Sequence, residues 1–77
     1  MNDFYEIEVD QDGDRWVYSV YFVNNARYHL VAGDAKNTQR GAEIEAFTQM
    51  TADRILHETE HAHYVYYVNG ELVESVL

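Results

Sequence analysis

The sequence predicts a single small α+β domain, an antiparallel sheet with one helix packed on one face, in the order β-β-β-α-β-β. Three observations lead to this prediction. Near the amino terminus, apolar and polar residues alternate with the period of a strand that has one buried face. Two dipeptides, Asp12-Gly13 and Asn69-Gly70, are typical of hairpin turns. Between these turns, apolar residues recur at helical spacing. The 77 residues are enough for one domain.

The first predicted hairpin joins a strand from Phe4 to Asp10 with a strand from Arg15 to Val23. Asp12-Gly13 is taken as its two-residue loop, because this dipeptide favours a type I′ turn. In this register one face of the hairpin is apolar and buried, and the other face is open. On the open face Asp10 lies opposite Arg15, so that the two charges partly cancel. The pairs predicted on the buried face are Val9–Trp16, Ile7–Tyr18 and Tyr5–Val20. The pairs predicted elsewhere on the open face are Glu8–Val17, Glu6–Ser19 and Phe4–Tyr21.

A second turn is predicted at Asn24-Asn25, followed by a third strand. A three-residue loop over residues 24–26 keeps apolar residues on one face, and asparagine tolerates the left-handed conformation that such a loop needs. The resulting predicted pairs are Phe22–Tyr28, Val20–Leu30 and Tyr18–Ala32. A short polar connection is expected from Gly33 to Asn37.

A helix is predicted from Thr38 to Glu60, with Asn37 or Thr38 as its cap. Two strands then follow, from Ala62 to Val68 and from Glu71 to Leu77. The residues expected to form the buried stripe of the helix are Ile44, Phe47, Thr51 and Ile55. The residues expected on or near its solvent side are Glu43, Glu45, Gln49 and Asp53.

The charge of the chain bears on its partners. Fourteen acidic and five basic side chains give a net charge of −9. Phosphate contacts need clustered Lys and Arg, so direct nucleic-acid binding is not expected, nor is an anionic membrane surface. A basic protein partner is favoured, with electrostatic steering of the encounter. The alternative is that the acidic excess serves solubility or reflects a high-salt cytoplasm. The absence of cysteine fits a reducing cytoplasm, and no cofactor is expected.

Five carboxylates alternate along the start of the chain and form the predicted partner-binding site. They are Glu6, Glu8, Asp10, Asp12 and Asp14. On a strand, Glu6, Glu8 and Asp10 share one face, with successive carboxylates roughly 6.8 Å apart. Phe4 and Tyr21 are expected beside them on the open face of the sheet as apolar anchors, because exposed aromatic groups ringed by charge are typical of interfaces.

The segment His57-Glu58-Thr59-Glu60-His61 matches the His-Glu-x-x-His pattern of zinc peptidases. Three points count against a zinc site. Both histidines project away from the predicted buried stripe, no third ligand or cleft is evident, and the motif falls where the helix is ending. We therefore predict no catalytic residues and no metal site, with His57, His61 and His63 as the alternative metal ligands. The spacing of Glu8, Asp10, Asp12 and Gly13 also resembles the first half of a calcium loop, but the twelfth position, where a bidentate acidic ligand belongs, is Ser19.

At the level of a class, the chain resembles the small acidic inhibitors that phages encode against bacterial defence, including anti-CRISPR proteins and DNA mimics. The resemblance lies in one short cysteine-free domain, a sheet with one helix, and the acidic row from Glu6 to Asp14. It implies a protein of the host cytoplasm that places carboxylates where phosphates would lie on its target. The chain is also similar to HicB-type antitoxins, whose first domain begins with an acidic hairpin. Their proline-containing segment after the second strand has no counterpart here.

These observations predict a non-enzymatic acidic module that blocks a basic, nucleic-acid-handling protein. The alternative is a homodimeric structural or antitoxin-like module whose open sheet face forms the dimer interface. A zinc hydrolase using His57, Glu58 and His61 is the third hypothesis.

Overall fold

The computed structural model of the chain describes residues 3–59 and 61–76, apart from the side chains of residues 34, 35 and 76. Its element order confirms the predicted β-β-β-α-β-β, with one helix and a five-stranded sheet in the described part. The elements are β1 (Phe4–Asp12), β2 (Arg15–Asn24), β3 (Ala26–Lys36), α1 (Gln39–Leu56), β4 (His63–Val68) and β5 (Glu71–Val76). The strands lie in the order β3-β2-β1-β4-β5, so β1 is the central strand.

The sheet is mixed, which corrects the prediction of an antiparallel sheet. β1 and β4 run parallel, and Ile7 lies beside Tyr66 in their register. The hairpins make β1 antiparallel to β2 and β2 antiparallel to β3, so β3 has the direction of β1. Helix α1 then carries the chain back, and β4 enters the sheet in the direction of β1. A parallel pair needs such a crossover connection, which here is the helix.

The first hairpin has the predicted faces in a shifted register. Val9 lies opposite Tyr18 instead of Trp16, Asp12 lies opposite Arg15, and Phe4 lies opposite Val23 instead of Tyr21. The loop is therefore residues 13–14, and Gly13 takes its first position with a φ of 67°. A type II′ turn requires glycine there. Because the shift preserves the side-chain period of two, each residue keeps its predicted face.

The second hairpin turns at Asn25, which has a φ of 63°. Phe22 pairs with Tyr28, as predicted, but a bulge follows. Beyond the bulge Val20 lies opposite Val31 instead of Leu30, and Tyr18 lies opposite Gly33 instead of Ala32. The pairing continues to Lys36, so most of the predicted polar connection is part of β3.

Helix α1 begins as predicted, with the Thr38 side chain accepting a hydrogen bond from the Gly41 N–H at 3.0 Å. It ends at Leu56, four residues before the predicted end at Glu60, which lies outside the described residues. The predicted buried stripe is wrong, since Ile44 and Ile55 are 56% and 64% exposed. Thr51 is also exposed, and Phe47 is half-buried. The helix instead buries the face that carries Ala42, Ala46 and Met50.

The side chains of the sheet explain this choice of helix face. Tyr5, Tyr18 and Tyr66 fill the space beneath the helix with large rings, and small helical residues let the two layers approach. Buried tyrosine hydroxyls also need hydrogen-bond partners. Asp53 accepts from the Tyr5 hydroxyl at 2.6 Å, and Glu43 accepts from the Tyr66 hydroxyl. Two carboxylates that were expected at the solvent side therefore anchor the helix to the sheet.

This arrangement predicts a loss of stability at alkaline pH. Burial and the Asp53 hydrogen bond raise the pKa of Tyr5 to about 12, and burial and Glu43 also raise the pKa of Tyr66. Above the unfolded tyrosine pKa of about 10, the unfolded chain loses protons that the folded Tyr5 retains. The free energy of unfolding then falls by at most about 1.4 kcal/mol per pH unit for each such tyrosine, up to its folded pKa. Urea denaturation at a series of pH values from 9 upward measures this slope.

Phenylalanine variants show which tyrosine hydroxyl causes the fall in the free energy of unfolding with pH. Tyr5→Phe should reduce this slope by about 1 kcal/mol per pH unit on average between pH 10 and 12, because it removes one linked proton that is partly released in the unfolded state at pH 10 and in the folded state at pH 12. Tyr28→Phe, at an exposed ring, should keep the wild-type slope. Equal slopes in the wild type and in Tyr5→Phe would contradict the linkage.

The last hairpin follows the prediction closely. Asn69 and Gly70 have φ values of 51° and 80°, as a type I′ turn requires at both positions. β4 begins at His63, one residue after the predicted Ala62, which is itself buried. The predicted final residue of β5, Leu77, lies outside the described residues. The Asn69 N–H donates to the Val9 carbonyl at 2.9 Å, so this turn is fixed beside the end of β1.

Candidate functional site

The acidic row lies on the central strand, on the sheet face opposite α1. Glu6, Glu8 and Asp10 alternate with the buried Tyr5, Ile7 and Val9, and each of the three carboxylate residues is half-buried. β2 flanks the row on one side and β4 on the other. The shared face that the sequence predicted for these carboxylates is therefore present, at the centre of the sheet.

Arg27, from the edge strand β3, reaches across β2 to this row. Its Nη2 atom lies 2.5 Å from Oε1 of Glu6 and 2.6 Å from Oε2 of Glu8. The guanidinium carbon is 3.6 Å from the centroid of the Tyr21 ring. The His29 ring also stacks on Tyr21, with ring centroids 4.7 Å apart. One arginine thus bridges two carboxylates over an aromatic face, a combination of charge-assisted hydrogen bonds and cation–π contact. Its side chain remains 47% exposed, so solvent screens these contacts.

The row keeps unneutralised charge in spite of Arg27. Burial raises the pKa of the Glu8 carboxyl, and the adjacent Glu6 raises it further, while Arg27 opposes both effects. One cation shared by two carboxylates balances half of their charge. A second cation near Glu8 would therefore be stabilised by the same field.

A depression of about 270 Å³ runs along the β4 side of the row. It is lined by Glu6, Glu8, Asp10, Tyr67 and Gly70. Tyr67 lies beside Glu8 on β4, as Tyr21 lies beside Glu6 on β2. The β2 side and the β4 side of the row therefore have similar chemistry, with carboxylates next to a tyrosine. Arg27 occupies the Tyr21 side, and among the described residues no side-chain cation lies over the Tyr67 ring.

The remaining predicted site residues lie at the two ends of β1 and at the first turn. Asp12 and Asp14 are exposed at the first turn, where Asp12 lies opposite Arg15 in the strand register. The predicted pairing of Arg15 with Asp10 is wrong, because the hairpin register differs. Phe4 is half-buried at the opposite end of β1, beside Val23 and His63. The structure thus places Phe4, Glu6, Glu8, Asp10 and Tyr21 on the open face of the sheet, and leaves Asp12 and Asp14 at the turn.

Sequence reasoning missed two residues of the site, Arg27 and Tyr67. A signal for Arg27 was present, because the predicted three-residue loop already places it opposite Val23, on the face of Tyr21. Nothing comparable existed for Tyr67. Its position beside Glu8 depends on the parallel β1–β4 pairing, which joins residues 59 positions apart.

The described residues of the histidine motif, His57, Glu58, Thr59 and His61, are not helical. His57 is the C-cap residue of α1, and Glu58 has a left-handed φ of 55°. The two histidines of a zinc-peptidase motif must lie one turn apart on a helix, but here the helix has ended before them. His63 begins β4, beside Phe4. Within residues 3–59 and 61–76, no three His, Cys, Asp or Glu side chains are grouped so as to hold a metal ion.

None of the helical sequence in the described part is long and apolar enough to cross a membrane. Comparisons with protein-family models, with curated proteins and with solved structures find no match for this chain.

Proposed function

We propose that this chain is a non-enzymatic acidic module that binds and blocks a basic, nucleic-acid-handling protein through the open face of its sheet. One observation carries the proposal: Arg27 of the chain itself lies over Tyr21 and bridges Glu6 and Glu8. The open face thus accommodates a guanidinium between carboxylates and an aromatic ring. The depression beside Tyr67 offers the same groups to a cation from outside.

The position of the row supports binding to another protein. The central strand is held on both sides by neighbouring strands, so the carboxylates are fixed in place before a partner arrives. Preorganised contacts lose less entropy on binding than contacts made by mobile chains. The net charge of −9 adds long-range attraction for a basic surface. A partner that holds nucleic acid with arginines carries such a surface, and an occupant of that surface blocks it.

The binding residues expected to matter most are Glu8, Asp10 and Tyr67. Arg27 engages both Glu6 and Glu8, but the Glu6 side chain is only 18% exposed and that of Glu8 31%, so Glu6 contributes less to an external contact. Asp12 and Asp14 strengthen the field at the end of the sheet without a fixed geometry.

A charge-matched pair of variants tests the proposal. Glu8→Gln with Asp10→Asn removes two charges from the row, and Glu45→Gln with Glu58→Gln removes two from elsewhere in the chain. In pull-downs from bacterial lysate, the wild type should capture a basic nucleic-acid-binding protein at low salt. Added duplex DNA should release the captured protein from the chain, because the DNA and the chain compete for the same basic surface of that protein. The row variant should lose about tenfold or more in affinity for it, and the control variant less than about threefold. Equal capture by both variants, or capture that DNA does not affect, would refute the proposal.

A homodimer is the second candidate, and the exposed apolar surface favours the helix as its interface. Ile44, Ile55 and Leu56 are 56%, 64% and 75% exposed, whereas the aromatic groups of the open sheet face are half-buried. Light scattering over a range of concentrations should give a dimer mass if this candidate is right. Ile44→Glu with Ile55→Glu should then return the monomer mass, because charges at an apolar interface oppose association. A monomer mass for the wild type at every concentration would exclude the dimer.

A further inference from the structure

A separate pocket of about 340 Å³ lies on the helix side of the sheet, near the carboxyl end of α1. Its apolar walls are Tyr5, Phe22, Tyr28 and Leu30. Tyr28 pairs with Phe22, and the β-bulge that follows in β3 sets Leu30 apart from the regular pairing. The ring of Phe22 tilts against that of Tyr5, with centroids 5.1 Å apart. Small-molecule sites are typically concave, mostly apolar and of this order of volume.

The polar rim of the pocket comes from the end of the helix and the turn after it, at Asp53, His57 and Thr59. Oδ2 of Asp53 accepts the Tyr5 hydroxyl at 2.6 Å, and this hydroxyl lies 2.8 Å from Oγ1 of Thr59. Oδ1 of Asp53 lies 3.6 Å from Nε2 of His57, which is beyond hydrogen-bond distance but within ion-pair distance of a protonated imidazole. One oxygen of a mostly buried carboxylate thus retains its capacity to accept a hydrogen bond at the edge of an apolar pocket.

The charge around the pocket selects the kind of ligand. The lining contains one carboxylate, one histidine and neither lysine nor arginine. Arg54 does not line the pocket; its guanidinium carbon is 5.7 Å from the Tyr5 ring centroid and its Nη2 donates to the Ala62 carbonyl. The Asp53 carboxylate at the rim would repel an anionic ligand, and a neutral ligand would form a weaker hydrogen bond with it than a cation does. A cation satisfies Oδ1 and gains from the three aromatic rings.

We propose that this pocket binds a small organic amine with an aromatic body. The protonated amine donates to Oδ1 of Asp53, and the ring of the ligand packs between Phe22, Tyr28 and Leu30. This site lies on the opposite side of the sheet from the acidic row, and its occupation does not depend on the protein-binding function proposed above.

Three probes of one shape test the proposal. 2-Phenylethylamine carries the ammonium group, 2-phenylethanol is neutral, and 3-phenylpropionate is anionic. Each is titrated into ¹⁵N-labelled full-length protein at neutral pH while amide shifts are followed by NMR. The amine should give saturable shifts at Phe22, Tyr28, Leu30 and His57. Its affinity should exceed that of the alcohol and of the carboxylate by about tenfold or more, the size expected for a charge-assisted hydrogen bond.

Variants separate this pocket from nonspecific attraction of cations. Asp53→Asn should weaken amine binding by about tenfold or more, whereas Asp10→Asn, the same change on the other sheet face, should leave it unaltered. Tyr28→Ala, at an exposed wall of the pocket, should weaken binding of the amine while the NMR spectrum remains that of a folded protein. This variant therefore tests the proposal even if Asp53→Asn fails to fold. The proposal is wrong if the amine shifts follow the acidic row from Glu6 to Asp10, if the carboxylate probe binds equally well, or if no shift saturates.

Discussion

Replacement of Ile7 by alanine is expected to lower the free energy of unfolding by about 2–5 kcal/mol, the range for aliphatic residues truncated in well-packed cores. Ile7 is fully buried at the centre of β1, between Val20 on β2 and Tyr66 on β4. Strands on both sides and the helix above restrict collapse of the cavity. A chain of this length has a total stability of roughly 4–12 kcal/mol, so the variant should be near its unfolding threshold. Urea denaturation followed by circular dichroism measures the change.

Ile44→Ala is the matched control for this experiment. It removes the same atoms from a helix position that the sequence pattern placed in the core and the structure places at the surface. Its expected cost is below about 1 kcal/mol, because the side chain is more than half exposed and alanine favours the helix. A larger cost for Ile44→Ala than for Ile7→Ala would mean that the helix packs on its other face.

Replacement of Gly33 by alanine is expected to destabilise the protein by about 1–3 kcal/mol or more, through overpacking. A Cβ atom at Gly33 would lie 1.7 Å from Cε1 and 1.8 Å from Cζ of the Tyr18 ring. Tyr18 is buried under the helix, so its ring cannot move aside without displacing other core residues. The missing side chain of Gly33 thus makes room for the tyrosine. Thermal and urea denaturation of Gly33→Ala measure the cost.

Two further variants identify the cause of this effect. Ala32→Val adds two methyl groups at the exposed neighbouring position and should change stability by less than about 0.5 kcal/mol. Tyr18→Leu is destabilising by itself, but Gly33→Ala should cost less in its background because the ring is absent. A double-mutant cycle measures this coupling. If Gly33→Ala lowered the free energy of unfolding equally in the wild type and in Tyr18→Leu, Gly33 would have a role other than making room for the Tyr18 ring.

The faces of the strands could be predicted from the sequence, but not the exact pairing. Alternation assigned Tyr5, Ile7 and Val9 to the core and Glu6, Glu8 and Asp10 to the open face, since a period of two determines both. The register depended on which residues form the loop. Asp12-Gly13 favours a type I′ turn, whereas the structure puts Gly13 first, as a type II′ turn requires. Either turn preserves the faces, so the pattern of apolar residues could not distinguish them.

The helix face and the parallel pairing depended on information that local sequence lacks. Periodicity favoured the large residues Ile44 and Ile55, but the volume of the interlayer space was already taken by tyrosines from the sheet. The hydroxyls of Tyr5 and Tyr66 then required Asp53 and Glu43 on the packed side. The candidate site was predicted in its carboxylates and missed in its aromatic neighbour Tyr67. That residue meets Glu8 only after the helix has brought β4 beside β1.

The parallel pairing of β1 with β4 also has a consequence for the order in which the chain folds. β1, β2 and β3 are joined by tight turns and can form a meander from local contacts, whereas the contact of Phe4 with His63 must close a loop over most of the chain. Until that closure, β1 is an edge strand with unpaired backbone groups, and such edges promote aggregation. We therefore expect the meander to form first, and the fourteen described residues from His63 to Val76 to complete the sheet afterwards. The carboxylates on β1 then protect this temporary edge, because charge disfavours edge-to-edge pairing between chains.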